Sequence, residues 1–408
     1  MVHILHYLGA AFVILVMVQL GLAIIGTLRR QWLAGAVRRG ALQLFDERIA
    51  LAQVRRQRVE NTVAPWMGNR KFEVDRVVHE CVGVKSFYLK AHDKKPLATF
   101  EPGQFLTFSL DVPGHDKKVV RCYSLSDRPR EEYYRVTIKH LEDGAGSGFF
   151  HESVREGAIL DVKAPAGGFT LDLDSEQPVV LIAGGVGITP VLCMLNEMIK
   201  SQPNRKVWLF YGVRNGKEHI MKEHLAQVAR DHSQVEIITF YSRPNAEDEE
   251  GKDHDIGHRM SLNDLRDILP SSNFEFYLCA GGEMMKTMVD ALLTWGVSEK
   301  HIHKEAFGPA SVPKTGNTVI QKAVRVIFAK SGKTLPWTPD TGSLLEMAEA
   351  SKIETIDSSG CHAGSCGTCK TAIKTGEVEY LQDPSSAVEE GSCLTCICVP
   401  KSDITLDA

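Results

Sequence analysis

The stretch CHAGSCGTC, Cys361 to Cys369, decides how this chain is read. Its cysteines fall as C-x4-C-x2-C, a spacing at which thiolates hold a 2Fe-2S cluster. The residues between them include Ala363, Gly364, Ser365 and Gly367. Small residues let the loop close tightly and bring backbone N–H groups up to the sulfides, which raises the reduction potential. A zinc site and a set of buried free thiols are the rival readings. Zinc sites usually pair a C-x2-C knuckle with a second one or with histidine, whereas here a four-residue gap precedes the two-residue one. A fourth thiolate must come from elsewhere, and Cys393, Cys396 and Cys398 crowd together in CLTCIC. The spacing therefore implies one-electron transfer.

Upstream, the 408 residues are long enough for two to four domains. Hydrophobic residues make up 43% and charged residues 24%, a globular balance. The net charge of -4 argues against a nucleic-acid binder. Ten cysteines in so long a chain are not a disulfide framework, and reduced thiols with an iron-sulfur centre point to the cytoplasmic side of a membrane.

The N-terminus departs from globularity. Ile4 to Leu28 contains no Asp, Glu, Lys or Arg, a longer run than the ~20 residues that cross a bilayer. Arg29, Arg30, Arg38 and Arg39 follow, so the expected topology is a single-pass anchor with this flank in the cytoplasm. A signal peptide would carry its positive charge before the apolar run. Residues 29–60 hold eight arginines against Asp46, Glu47 and Glu60. They read either as a solvated helical stalk or as a helix along anionic headgroups. Asn61 to Gly68, with Pro65, reads as a break.

From Lys71 to Thr170 short β-type runs (KFEVDRVV, FLTFSL, VVRCYSL, YRVTIKHL, AILDVKA) alternate with turn residues, as in a small antiparallel barrel. From Val179 to Phe307 strand and helix alternate. PVVLIA, KVWLFYGV, VEIITFY and FEFYLCA read as buried parallel strands. The expected organisation is an anchor over 1–28 and a basic stalk over 29–68. An antiparallel barrel over 69–172 and a nucleotide-binding α/β domain over 173–309 follow. A linker over 310–322 leads to a cluster domain over 323–408. The acidic run Glu247 to Glu250 reads as a solvated loop.

GGVGITP, Gly184 to Pro190, lies between a strand and a helix. Glycines let a backbone approach a pyrophosphate, and the helix N-terminus favours its charge. The pattern is not G-x-G-x-x-G. In RCYSLS, Arg121 can pair with a phosphate. Tyr123 faces the same side of the strand, where it can stack on a flavin, and Ser124 can hydrogen-bond flavin N5. An ordinary barrel strand is the plain alternative for this stretch.

RCYS, then DGAGSGFFH with PAGGF, then GGVGITP, YLCAGGEMM and EAFG occur in the order seen in ferredoxin-NADP reductase-like flavoproteins. With CHAGSCGTC at the end, residues 70–408 resemble the reductase components of bacterial oxygenases. These fuse a flavin domain, a nicotinamide domain and a plant-type ferredoxin domain. The resemblance implies a β-grasp fold for the last unit and Cys396 as the fourth ligand beside Cys361, Cys366 and Cys369, with Cys393 and Cys398 as packing thiols. It implies that Arg121, Tyr123 and Ser124 hold the flavin, with Lys139 and His140 beside it. Gly146, Ser147 and Gly148 would cradle its phosphate. The PAGGF form (Pro165 to Phe169) resembles FAD members rather than FMN members. Gly184, Gly185, Gly187, Thr189 and Pro190 would contact the nicotinamide dinucleotide, Cys279 would sit near nicotinamide C4, and Glu305 and Phe307 would close the flavin site.

Two features depart from that pattern. The family usually reads C-G-P where this chain has Cys279-Ala280-Gly281. A membrane anchor is also unusual for oxygenase reductases. The flavin subunit of the sodium-pumping NADH:quinone reductase has one, but its ferredoxin domain precedes the flavin domain.

The expected function is a membrane-anchored reductase taking electrons from NAD(P)H through FAD and the cluster to an oxygenase, hydroxylase or desaturase in or near the membrane. Ser124, Cys279 and Glu305 would act at the hydride step. Arg214 and Arg243 could meet a 2'-phosphate, although the reading leans to NADH. A free-standing NADH:quinone or respiratory reductase is the alternative enzyme. A membrane-tethered redox sensor is a third reading.

Overall fold

The computed structural model describes Met17, Gln19, Leu20 and residues 65–307, 323–353, 360–364, 366–382, 384 and 388–408. The rest of the expected anchor, the stalk up to residue 64 and the whole of the expected linker lie outside the described residues. Among the described residues no helix is long and apolar enough to cross a membrane.

Alternating apolar residues build the first sheet. Its strands are β1 (Arg70–Cys81), β2 (Val84–Ala91), β3 (Phe105–Leu110), β4 (Val119–Ser124), β5 (Tyr134–Lys139) and β6 (Ile159–Val162). They pair antiparallel in the order β4-β3-β6-β1-β2-β5. The two outer strands meet through a Leu125–Val136 bridge, which curls the sheet into a barrel. Phe72, Phe87, Leu106, Phe108, Val136 and Phe150 fill it. Strand β2, VKSFYLKA, was not among the expected runs. Lys85 and Ser86 interrupt its apolar pattern, and Ser86 is buried by bonding Thr137 Oγ1 at 2.7 Å.

The second sheet is parallel. It holds β7 (Val179–Gly184), β8 (Val207–Val213), β9 (Val235–Tyr241), β10 (Glu275–Ala280) and β11 (Ile302–Ala306), in the order β11-β10-β7-β8-β9. Helices at Ile188–Ser201, Lys222–Asp231, Leu262–Ile268 and Gly282–Thr294 follow its strands. Both faces are covered, as its continuous apolar strands require.

The barrel and this α/β unit share their cores. Cys193, on the helix after β7, is buried in the barrel core. Val84, Phe169 and Leu171 pack into the α/β core. Asp127 sits at this junction. It accepts from Arg130 Nε (2.8 Å), Tyr133 Oη (2.8 Å) and Asn196 Nδ2 (3.0 Å).

The last unit pairs a mixed sheet with the Leu344–Ala350 helix. Its strands are β12 (Val324–Phe328), β13 (Lys333–Trp337), β14 (Lys370–Thr375), β16 (Ser392–Leu394) and β18 (Ile404–Leu406), in the order β13-β12-β18-β14-β16. A small pair, β15 (Val378–Tyr380) and β17 (Cys398–Pro400), lies apart. Ser343 and Glu346 form a reciprocal cap at the helix start, Glu346 N donating to Ser343 Oγ at 3.2 Å and Ser343 N to Glu346 Oε2 at 2.7 Å.

Candidate functional site

Four thiols gather where the cluster loop meets the end of β16. Cys361 lies within hydrogen-bonding reach of Cys366 and Cys396, and Cys369 lies within reach of Cys396. The loop bends back through His362 (φ 51°) and Gly364 (φ 73°), the latter packed against Ile397. The amides of Ala363 and Cys366 both donate to Cys361 Sγ, at 3.4 and 3.3 Å. The crowding splits the thiols' proton affinities. Hydrogen bonds from neighbouring thiols push Cys366 and Cys369 down; Cys396 is pushed up by Cys361 and Cys369, and Cys361 is pushed up by Cys366 against an opposing pull from Cys396. Cys393 and Cys398 are buried and hydrogen-bond each other instead.

This donor set fits a 2Fe-2S cluster, which asks for two thiolates per iron.

A second convergence lies at the junction of the barrel and the parallel sheet. Cys279 and Glu305 are register partners at the C-terminal ends of β10 and β11. The Ser124 hydroxyl, at the end of β4, lies within hydrogen-bonding reach of the Glu305 carboxyl. Glu305 Oε2 is buried and has no partner. Burial pushes this carboxyl up to about 8, although the Ser124 bond pulls the other way. Burial likewise raises the Cys279 thiol, and the Glu305 charge adds to it. Ser124, Cys279 and Glu305 are thus brought together, and an unpaired buried oxygen there suits a ligand that hydrogen-bonds. Phe307 follows, partly exposed.

Arg121 and Tyr123 lie on β4. Arg121 donates to the Val120 carbonyl at 2.7 Å. Tyr123 packs edge-on against Phe150 at 5.2 Å. A Cβ on Gly146 would collide with Arg121 Cγ, leaving no room for any other residue at the start of the Ala145–Glu152 helix. Ser147 Oγ accepts from Leu141 N and donates to the Gly144 carbonyl, both at 3.1 Å. Gly148 is open, with nothing near its missing Cβ. His140 packs against His151, ring centres 5.2 Å apart.

The glycine turn is dictated by packing as well as by backbone. Gly185 takes φ 55°. A Cβ on Gly187 would overlap the Cys279 carbonyl, and one on Gly184 would meet Ala280 and Met284. Thr189 Oγ1 donates to the Val186 carbonyl at 3.0 Å, and Pro190 is buried in the first helical turn. Arg214 and Lys139 are both drawn to Glu218, at 3.4 and 3.0 Å. Glu218 was missed in the sequence, because nothing local marks it as a partner of β5. Asp248, in the acidic run, accepts from Asn245 N (2.7 Å) and Gly216 N (3.3 Å), so that loop is held rather than merely solvated.

Comparison with known proteins agrees with this architecture. Residues 181–290 match the oxidoreductase NAD-binding domain, and residues 327–401 match the 2Fe-2S iron-sulfur cluster binding domain. The FAD/NAD-binding domain of nitric oxide dioxygenase from Vibrio cholerae O1 biovar El Tor is 32% identical, with a TM-score of 0.54. The match covers 59% of this chain and all of that one. Phthalate dioxygenase reductase, 24% identical with a TM-score of 0.55, shares the fold over 84% of this chain and 98% of its own. A flavohemoprotein of Bacillus cereus is 40% identical over 251 residues, 60% of this chain. The chain spans about 62% of the length of that relative. The chain belongs to the ferredoxin-NADP reductase-like flavoprotein oxidoreductases, with a C-terminal 2Fe-2S ferredoxin domain. Its cofactors are FAD, a nicotinamide dinucleotide and the 2Fe-2S cluster.

Proposed function

We propose that the chain is a membrane-anchored reductase that draws electrons from NAD(P)H and delivers them singly to an oxygenase or hydroxylase partner. The observation that carries this reading is the seating of the cluster loop on the flavin-binding strand. Cys122 N, on β4, donates to the Gly360 carbonyl at 3.3 Å. When bound, the cofactors supply the redox chemistry: a hydride brings two electrons, which leave one at a time while a proton is released.

The protein's residues orient and insulate. Arg121 and Gly146, Ser147 and Gly148 at the start of the Ala145–Glu152 helix would hold the FAD phosphates, and Tyr123 would line the ring site. The Ser124 hydroxyl would offer the flavin a hydrogen-bonding group, backed by the Glu305 carboxyl that burial keeps protonated. Gly184, Gly185, Gly187, Thr189 and Pro190 would receive the dinucleotide, and Cys279 and Phe307 would line the neighbouring site. Lys139 and His140 flank the barrel edge. Cys361, Cys366, Cys369 and Cys396 hold the cluster. Arg214 is already paired with Glu218 at 3.4 Å, which leaves it less free for a 2'-phosphate, so NADH is the favoured donor.

The N-terminal segment would hold the reductase on the cytoplasmic face of the membrane, raising its local concentration beside a bilayer-bound acceptor. The relatives support a protein acceptor by analogy, since one solved neighbour is the ferredoxin reductase in carbazole 1,9a-dioxygenase.

The test uses the full chain with its cofactors. NADH-dependent reduction of cytochrome c, together with recovery in the membrane fraction and release on removal of residues 1–60, is expected. Purified protein lacking flavin, iron and labile sulfide after anaerobic reconstitution would overturn the reductase reading. A chain that stays in the soluble fraction would overturn the anchor.

A further inference from the structure

Strand β4 serves two neighbours. Its residues alternate between faces, so Cys122 points away from the side that carries Arg121 and Tyr123. That outer face is where the cluster loop sits. A Cβ built on Gly360 would lie 2.9 Å from Cys122 Sγ, 3.3 Å from Val120 Cγ1 and 3.5 Å from Thr107 Cγ2. Only a glycine allows the loop so close. The contact is directional as well as tight. Cys122 N donates to the Gly360 carbonyl at 3.3 Å, Cys122 Sγ lies 3.3 Å from Thr107 Oγ1, and the same sulfur is within hydrogen-bonding reach of Cys366 Sγ.

We propose that Cys122 is a positioning residue for electron passage between the flavin and cluster sites, its S–H donating to the Cys366 sulfur while its backbone N–H ties down the cluster loop. This rests on the reductase reading above. Hydrogen bonds to cluster sulfurs raise the reduction potential, because they favour the more negative reduced state. The contact also links Cys366 to Ser124 by two residues of one rigid strand, so neither site can shift without the other. Thr107, opposite Cys122 in the β3–β4 register, orients the thiol.

The experiment compares full-length, cofactor-loaded wild type with Cys122→Ala, Cys122→Val and Cys122→Ser. Its readouts are an EPR-monitored redox titration of the cluster and stopped-flow spectra after mixing with NADH. The alanine and valine variants should have a lower cluster midpoint potential. At equilibrium the electron should move toward the flavin by about tenfold, the scale of one hydrogen bond to a charged group. Serine keeps an O–H donor and should restore the wild-type potential. Should alanine fail to take up cluster, valine, which keeps atoms at the γ position but no donor, carries the same comparison. Unchanged potentials and an unchanged flavin-to-cluster phase in alanine and valine would overturn the inference. A serine variant as shifted as alanine would also overturn it, by making the effect one of packing. Absence of a cluster signal from wild type would instead strike the reductase reading itself.

Discussion

The Ser124 hydroxyl meets the Glu305 carboxyl across the seam between the barrel and the parallel sheet. The two residues are far apart in the chain and lie on β4 and β11. Burial keeps the carboxyl protonated up to about 8, against an ordinary value of 4.5.

That proton sets a pH dependence. Between about 4.5 and about 8 the folded chain keeps a proton on Glu305 that the unfolded chain releases. Stability of the cofactor-free protein therefore falls as pH rises through that window. In Glu305→Gln this part of the slope should vanish, as thermal melts at pH 5 and pH 8 will show. A slope identical to wild type would contradict the assignment.

Cysteine substitutions should separate ligands from packing thiols. Cys396→Ser should lose iron, labile sulfide and cytochrome c reduction while ferricyanide reduction by the flavin persists. Cys393→Ser should keep the cluster spectrum. Iron analysis with visible absorption decides between them.

Gly187→Ala places a methyl group on the Cys279 carbonyl. Overpacking of this kind costs about 1–3 kcal/mol. The same shift moves Cys279 and the turn together, so the KM for NADH should rise along with the loss in Tm. A variant with wild-type values of both would show that the turn has slack.

Asp127 should be one of the costly positions at the barrel–α/β junction. Burial alone would raise its carboxyl, but Arg135, Tyr133 and Arg130 hold it below the ordinary value. Its contribution is therefore present above the unfolded value and lost as pH falls through the folded one. Asp127→Ala should destabilise by about 3 kcal/mol by leaving Arg135 and Arg130 uncompensated, measured by urea denaturation at pH 7. Below the folded value, variant and wild type should converge.

The sequence by itself determined the class of protein and its cofactors. C-x4-C-x2-C is a local ligand spacing, and the apolar runs PVVLIA and VEIITFY declare buried strands without help from distant residues. Those signals live within about ten residues, where chain geometry alone restricts what a side chain can reach. Strand β2 escaped because its polar Ser86 is satisfied only by Thr137, on another strand. Tertiary structure alone decided the rest: that Glu218 draws Lys139 and Arg214 together, and that Cys122 reaches the cluster loop. These are contacts between segments remote in sequence. Which partner wins depends on how sheets stack and which charges are buried together, and no local pattern encodes that.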